Sequence, residues 1–135
     1  MSTLAVATIK SISSATPVLQ DSGGTTVGQL CRASLRFNQT GTQTINSSFN
    51  VSSITDAGTG NTTVNFANPI KNDAGTESSN YAAVLGQDGT AVNSTHCMQF
   101  IHGVPTSTQL PLIFFILTNS NARGDSGICC CAVFC

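Results

Sequence analysis

The segment from Ser48 to Phe66 constrains the fold more than any other part of this chain. Phe49, Val51 and Ile54 set up an apolar face ahead of a turn. Asp56-Ala57-Gly58-Thr59-Gly60-Asn61 is turn chemistry, with two glycines free to take positive φ. Thr62-Thr63-Val64-Asn65-Phe66 then alternates polar and apolar residues, as a half-buried strand does. The whole segment predicts one β-hairpin.

The rest of the chain repeats this grammar of short strands and turns. Ser and Thr make up 34 of the 135 residues and Asn another 11, while no window sustains a 3.6-residue apolar period. The class is therefore all-β. Cys31, Ala33, Leu35 and Phe37 alternate with Arg32, Ser34 and Arg36. Thr44 to Phe49, Tyr81 to Leu85 and His96 to His102 read as further strands. Leu110 to Leu117 and Ile128 to Phe134 read as a last antiparallel pair, joined by Asn119 to Gly127. About seven to eight short strands at roughly 10-residue spacing predict an antiparallel β-sandwich, jelly-roll-like in kind.

Residues 1–30 differ. Leu4, Val6 and Ile9 belong to a short extended stretch, Pro17 keeps Thr16 out of helix, and Val18 and Leu19 close the piece before a turn at Asp21-Ser22-Gly23-Gly24-Thr25. This segment has too few bulky apolar residues to fold alone. It predicts an arm, residues 1–30, that docks by strand addition through Leu4, Val6, Ile9, Val18 and Leu19, ahead of a head at residues 31–135. The run Leu112-Ile113-Phe114-Phe115-Ile116-Leu117 is apolar on both faces, and Val133 and Phe134 share that character. Either these strands lie at the centre of a sandwich, or one face packs on another chain. Leu112, Phe114, Phe115, Ile116, Val133 and Phe134 are thus candidate oligomer contacts.

Charge excludes several functions. Only 8% of residues are charged and the formal net charge is −1, so the chain carries no basic patch for nucleic acid and no polybasic run for anionic lipid. Low charge suits a chain that hides surface in an assembly. Leu110 to Leu117 is too short to span a bilayer. Met1 to Ile9 is too short for a signal-peptide core, and Lys10 follows it rather than preceding it. Neither general secretion nor membrane insertion is expected.

The cysteines are unevenly placed: Cys31 and Cys97 stand alone, while Cys129, Cys130, Cys131 and Cys135 crowd the C-terminus. Cys129 and Cys131 fall on one face of a strand and Cys130 on the other. Small, buried, reduced residues are the favoured reading. Disulfides within or between chains remain open, as does a metal ion, although four sulfurs from consecutive strand residues do not converge tetrahedrally.

No catalytic or cofactor constellation emerges. His96 and His102 share a parity but lie about 20 Å apart along a strand, too far for one metal ion within a chain. There is no Gly-x-Ser-x-Gly elbow. The six acids are Asp21, Asp56, Asp73, Glu77, Asp88 and Asp125, most of them in turns where Asp bonds its own backbone. Five Asn-x-Ser/Thr sequons, at Asn38, Asn46, Asn50, Asn61 and Asn93, barely exceed chance in this composition. Arg123-Gly124-Asp125-Ser126 matches an adhesive tripeptide, yet a loop from Asn121 to Gly127 needs turn residues anyway.

The Ser48 to Phe66 segment also resembles the SFNVSSITDxGTGxYTVNF signature of short tail-fibre and fibre-tip proteins of tailed bacteriophages of aquatic bacteria. Ser2-Thr3-Leu4 to Lys10, Asp21-Ser22-Gly23-Gly24-Thr25, Cys31-Arg32-Ala33, Phe37-Asn38, Gly41-Thr42 and Asn80-Tyr81 are similar to other elements of the same proteins. Ser34-Leu35 stands where that pattern has Trp-Val, Asn61-Thr62 stands where Tyr is common, and Ile128 to Cys135 has no counterpart. The resemblance implies a non-enzymatic virion protein, assembled in the bacterial cytoplasm without cofactor, nucleic acid or membrane insertion. It implies a homotrimer whose arm attaches to other tail, baseplate or capsid proteins. Loops bearing Asn72, Asp73, Glu77, Asn121, Arg123 and Asp125 would then face a host polysaccharide or protein. Capsid decoration, as a cement protein, is the alternative placement.

Overall fold

The computed structural model describes residues 19–72, 74–87, 97–116 and 122–135. Within them there are strands and turns and no helix. A first hairpin pairs β1 (Leu19–Gln20) with β2 (Thr26–Gly28). Two sheets follow. One holds β4 (Thr44–Phe49), β3 (Cys31–Asn38), β11 (Cys129–Phe134) and β7 (Ala82–Gln87), in that order. The other runs from β5 (Val51–Asp56) through β6 (Asn61–Phe66) to β9 (Gln109–Ile116), which also pairs β8 (Cys97–Ile101) and the short β10 (Ala122–Arg123). Every pairing is antiparallel.

Alternation drives this assembly. Ala33, Leu35 and Phe37 on β3 and Cys129, Cys131 and Val133 on β11 are buried. They join Val64, Phe66, Leu110 and Leu112 from the other sheet, with Ile70, in one core. The period of two in each strand puts these residues on one face and Ser34, Arg36, Cys130 and Ala132 on the other. Two inner faces closed on one core make a β-sandwich.

Two local expectations are corrected. The hairpin does not begin at Phe49: that residue ends β4 in the first sheet, and the hairpin is β5–β6 in the second. Asn50 makes the corner between them with φ of 55°, a left-handed conformation that asparagine tolerates better than most residues. Its side-chain amide donates to the carbonyls of Arg32 at 3.0 Å and Asn68 at 3.1 Å, while its Oδ1 accepts from the Asn68 amide at 2.8 Å. The turn at 57–60 behaves as the sequence requires, with Gly58 at φ 102° and Gly60 at 69°.

Nor do the last two long strands pair with each other. β9 pairs β6 and β8, whereas β11 lies between β3 and β7 in the opposite sheet. The connection carries β10, which bonds back onto β9, before Ser126 crosses to Gln39 at the end of β3. The two strands face each other across the core instead of sharing a ladder.

The registers divide the sandwich into two ends. At the near end the chain enters β3 and leaves β11, and it gathers Asn50, residues 67–72 and 74–81 and the loop 102–108. At the far end lie the turns 39–43 and 57–60 and the segment 124–128.

Candidate functional site

Polar side chains at the far end bind the two sheets rather than await a ligand. Gln39 is fully buried. Its Nε2 donates to Thr62 Oγ1 at 3.0 Å, its Oε1 accepts from the Ser126 amide at 3.1 Å, and Thr62 donates onward to Gln43 Oε1 at 2.9 Å. A buried amide with its partners made is a rigid joint. Gln39 follows directly on β3, and its parity with Leu35 and Phe37 is the sequence signal for its burial.

Arg123-Gly124-Asp125 sits in this region and is not displayed as a free tip. Arg123 is exposed at the end of β10, but Gly124 is buried and Asp125 Oδ1 accepts from the Gly60 amide at 2.8 Å. The carboxylate therefore braces the 57–60 turn. Asp21 and Asp56 do similar work: Asp21 Oδ1 accepts from the Gly23 and Thr25 amides at 2.9 Å, and Asp56 Oδ1 from Gly58 at 2.9 Å. Glu77 accepts from the Ser107 hydroxyl at 2.9 Å. Each of these four acids accepts a hydrogen bond, and Asp56 and Asp125 brace the same 57–60 turn.

At the near end an open cleft of about 590 Å³ is lined by Gln29, Asn72, Asn80, Tyr81, Ala82, Phe134 and Cys135. The described side chains lining it are amide, aromatic, methyl and thiol groups. Tyr81 meets Phe66 edge to face, with centroids 6.1 Å apart, and its hydroxyl reaches the carbonyls of Gln109 at 3.0 Å and Thr106 at 3.2 Å. Burial, and secondarily Cys131, pushes that hydroxyl up to about 12. The tyrosine closes the core at this end and ties β7 to the loop before β9. Arg32 donates twice to the Cys135 carbonyl, at 2.9 and 3.1 Å, and the Cys135 thiol donates to Asn80 O at 3.3 Å. The last residue is thereby held against the first long strand.

The cysteines divide as their parity requires. Cys129 and Cys131 are buried, and Cys130 points outward between Arg36 and Gly86 in register. Cys31, Cys129, Cys130, Cys131 and Cys135 are free thiols. Burial, then Cys130 and Cys31, raises Cys131 to about 12, which keeps it protonated and inert at neutral pH. Among the described residues no group of three or more His, Cys, Asp or Glu could hold a metal ion.

The candidate residues are scattered. Leu112 and Val133 are buried in the intramolecular core, so neither is available to an oligomer contact. Phe134 has the opposite parity and lines the cleft. Leu19 is exposed on β1. Asn72 and Glu77 belong to the near end, Arg123 and Asp125 to the far end, so the two loops do not form one surface. Leu4, Val6, Ile9, Val18, Asp73 and Asn121, the side chains of Phe114, Phe115, Ile116 and Cys97, and His96 lie outside the described set.

No family model, curated protein or solved structure matches this chain.

Proposed function

We propose that this chain is a non-enzymatic structural component of a tailed-bacteriophage virion, a short tail-fibre or tail-tip protein that assembles as a trimer. Residues 1–30 attach it to the particle, and the far end of the sandwich points outward. The observation that carries this reading is polarity. Both the entry of the chain at Cys31 and its exit at Phe134 lie at the near end. A tether there leaves, among the described residues, the turns 39–43 and 57–60 and the segment 124–128 as the outermost features. The fibre-tip signature falls on β5–β6, whose turn is one of those features. Arg123 and Asp125 accompany this host-facing end, and Asn72 and Glu77 belong to the tethered side. Asp21, Asp56, Glu77 and Asp125 each accept a hydrogen bond that braces a turn or loop, which supports a structural role.

One observation favours capsid decoration as a second reading. Strand β4 is a sheet edge exposed along its whole length, with neither charge nor proline to protect it. Such an edge suits augmentation of a neighbouring subunit's sheet.

Incorporation into particles tests the tether. A full-length Leu4→Asp, Val6→Asp chain is expected to keep the wild-type melting temperature and to be missing from purified virions. Incorporation at the wild-type level would contradict the proposal.

A further inference from the structure

The two outer faces of the sandwich differ in chemistry. On the β5–β6–β9 face, Asn65 donates to Ser53 Oγ at 3.0 Å and Thr55 Oγ1 at 2.9 Å and accepts from Gln109 at 2.9 Å, a polar ladder that water can cover. The described residues of the four-stranded sheet form a less polar outer face. Its register aligns Phe49, Ser34, Ala132 and Val84 in one row across all four strands. Phe49 is 58% exposed and Val84 62%. A second row holds Ser47, Arg36, Cys130 and Gly86, a third Cys31, Phe134 and Ala82. In the first row the apolar Phe49 and Val84 thus flank the small Ser34 and Ala132, separated by about 14 Å at ordinary strand spacing, with exposed Arg36 in the next row.

A second exposed apolar element lies in the same chain. In the β1–β2 hairpin and the residues joining it to β3, Leu19 is 50% exposed, Val27 64%, and Leu30 also open to solvent. A two-stranded hairpin this short is marginal in water unless something covers it. Only Gln29 and Leu30 separate β2 from β3, about 10 Å of chain at full stretch, so the hairpin would have to double back sharply to lie on its own sheet. Charge is complementary: the four strands of the sheet carry Arg32 and Arg36 and no acid, while residues 19–30 carry Asp21 and no base.

We propose that the outer face of the β4–β3–β11–β7 sheet is the seat for the β1–β2 hairpin of a second copy of this chain. Two strands fit between Phe49 and Val84, Val27 and Leu19 cover Ser34 and Ala132, and Asp21 lies toward the arginine side. The inference concerns the purified chain and does not rest on the virion reading.

The test uses the full-length chain under reducing conditions. A photo-reactive phenylalanine analogue replaces Val27, and sedimentation velocity follows association of the unlabelled protein. Self-association is expected, with cross-links from position 27 landing on β3, β7 or β11 peptides inside covalent oligomers. Val27→Asp and Val84→Asp are each expected to weaken association by about tenfold or more. Both side chains are solvent-facing in the protomer, so circular dichroism and melting temperature should hold. A chain that stays monomeric overturns the proposal, as do cross-links confined to one chain, cross-links to the β5–β6–β9 face, or unchanged association in both variants.

Discussion

Asn50 moves the chain from one sheet to the other in a single residue, and both its backbone and its side chain take part. Asn50→Ala loses four side-chain bonds, one of them from Asn68 Nδ2, and keeps a left-handed backbone that alanine disfavours. It is expected to cost about 2–3 kcal/mol in urea denaturation, and Asn50→Gly less, because glycine relieves the backbone part. The far end supplies a contrast within one tripeptide. Asp125→Ala removes the acceptor of the Gly60 amide and should cost about 1–2 kcal/mol, whereas Arg123→Ala should change stability by less than about 0.5 kcal/mol. Cys131 and Tyr81 give the molecule an alkaline limit. Burial raises the thiol from 9.0 and the phenol from 10.0, each to about 12. The unfolded chain loses these protons first, so stability is whole below pH 9 and falls as pH rises toward 12. Thermal melts in reductant should show a decline above pH 9 that is shallower in Cys131→Ala. A wild-type melting temperature flat to pH 11 would contradict this.

Element by element, side-chain parity was legible and partnership was not. The alternation of Cys31 to Phe37 and the parity of Cys129 and Cys131 announced which residues face inward, and Ala33, Leu35, Phe37, Cys129 and Cys131 are buried; Val133, expected at an oligomer contact, is buried with them. Thr44–Phe49 was found with its bounds, because turn residues flank it. The same alternation ran unbroken through Phe49-Asn50-Val51 and concealed a corner, since only tertiary contacts select a left-handed Asn50. The apolar runs ending in Leu117 and Phe134 looked like mates for the same reason. Their partners are set by which inner face each completes, and Leu112 and Val133 meet in one core from opposite sheets. Of the site, the turn role of the acids was readable locally. The separation of the two loops to opposite ends was not, because it follows from sheet order. Two phenylalanines test the assignment of faces. Phe37 is fully buried, and Phe37→Ala should cost about 3–5 kcal/mol; Phe49→Ala, on the outer row, should stay within about 0.5 kcal/mol in dilute protein. Equal losses would mean that β4 is packed differently.

At the scale of the whole molecule, the described residues form a sandwich with the entry to β3 at one end and braced turns at the other. The far end is stiffened by the Gln39 network and by Asp125, which suits a surface presented without reordering on contact. The near end collects the entry strand, the C-terminal cysteine and the Tyr81 closure. Low charge and the exposed Phe49 and Val84 fit a chain whose working state is an assembly. Location on the particle decides the central claim most directly. Cryo-electron microscopy of intact virions, with this chain assigned and its copies counted, should place density at the tail end in a small multiple of three, with residues 1–30 toward the particle. Hundreds of copies on the head, or none on the particle, would contradict the tail-fibre account.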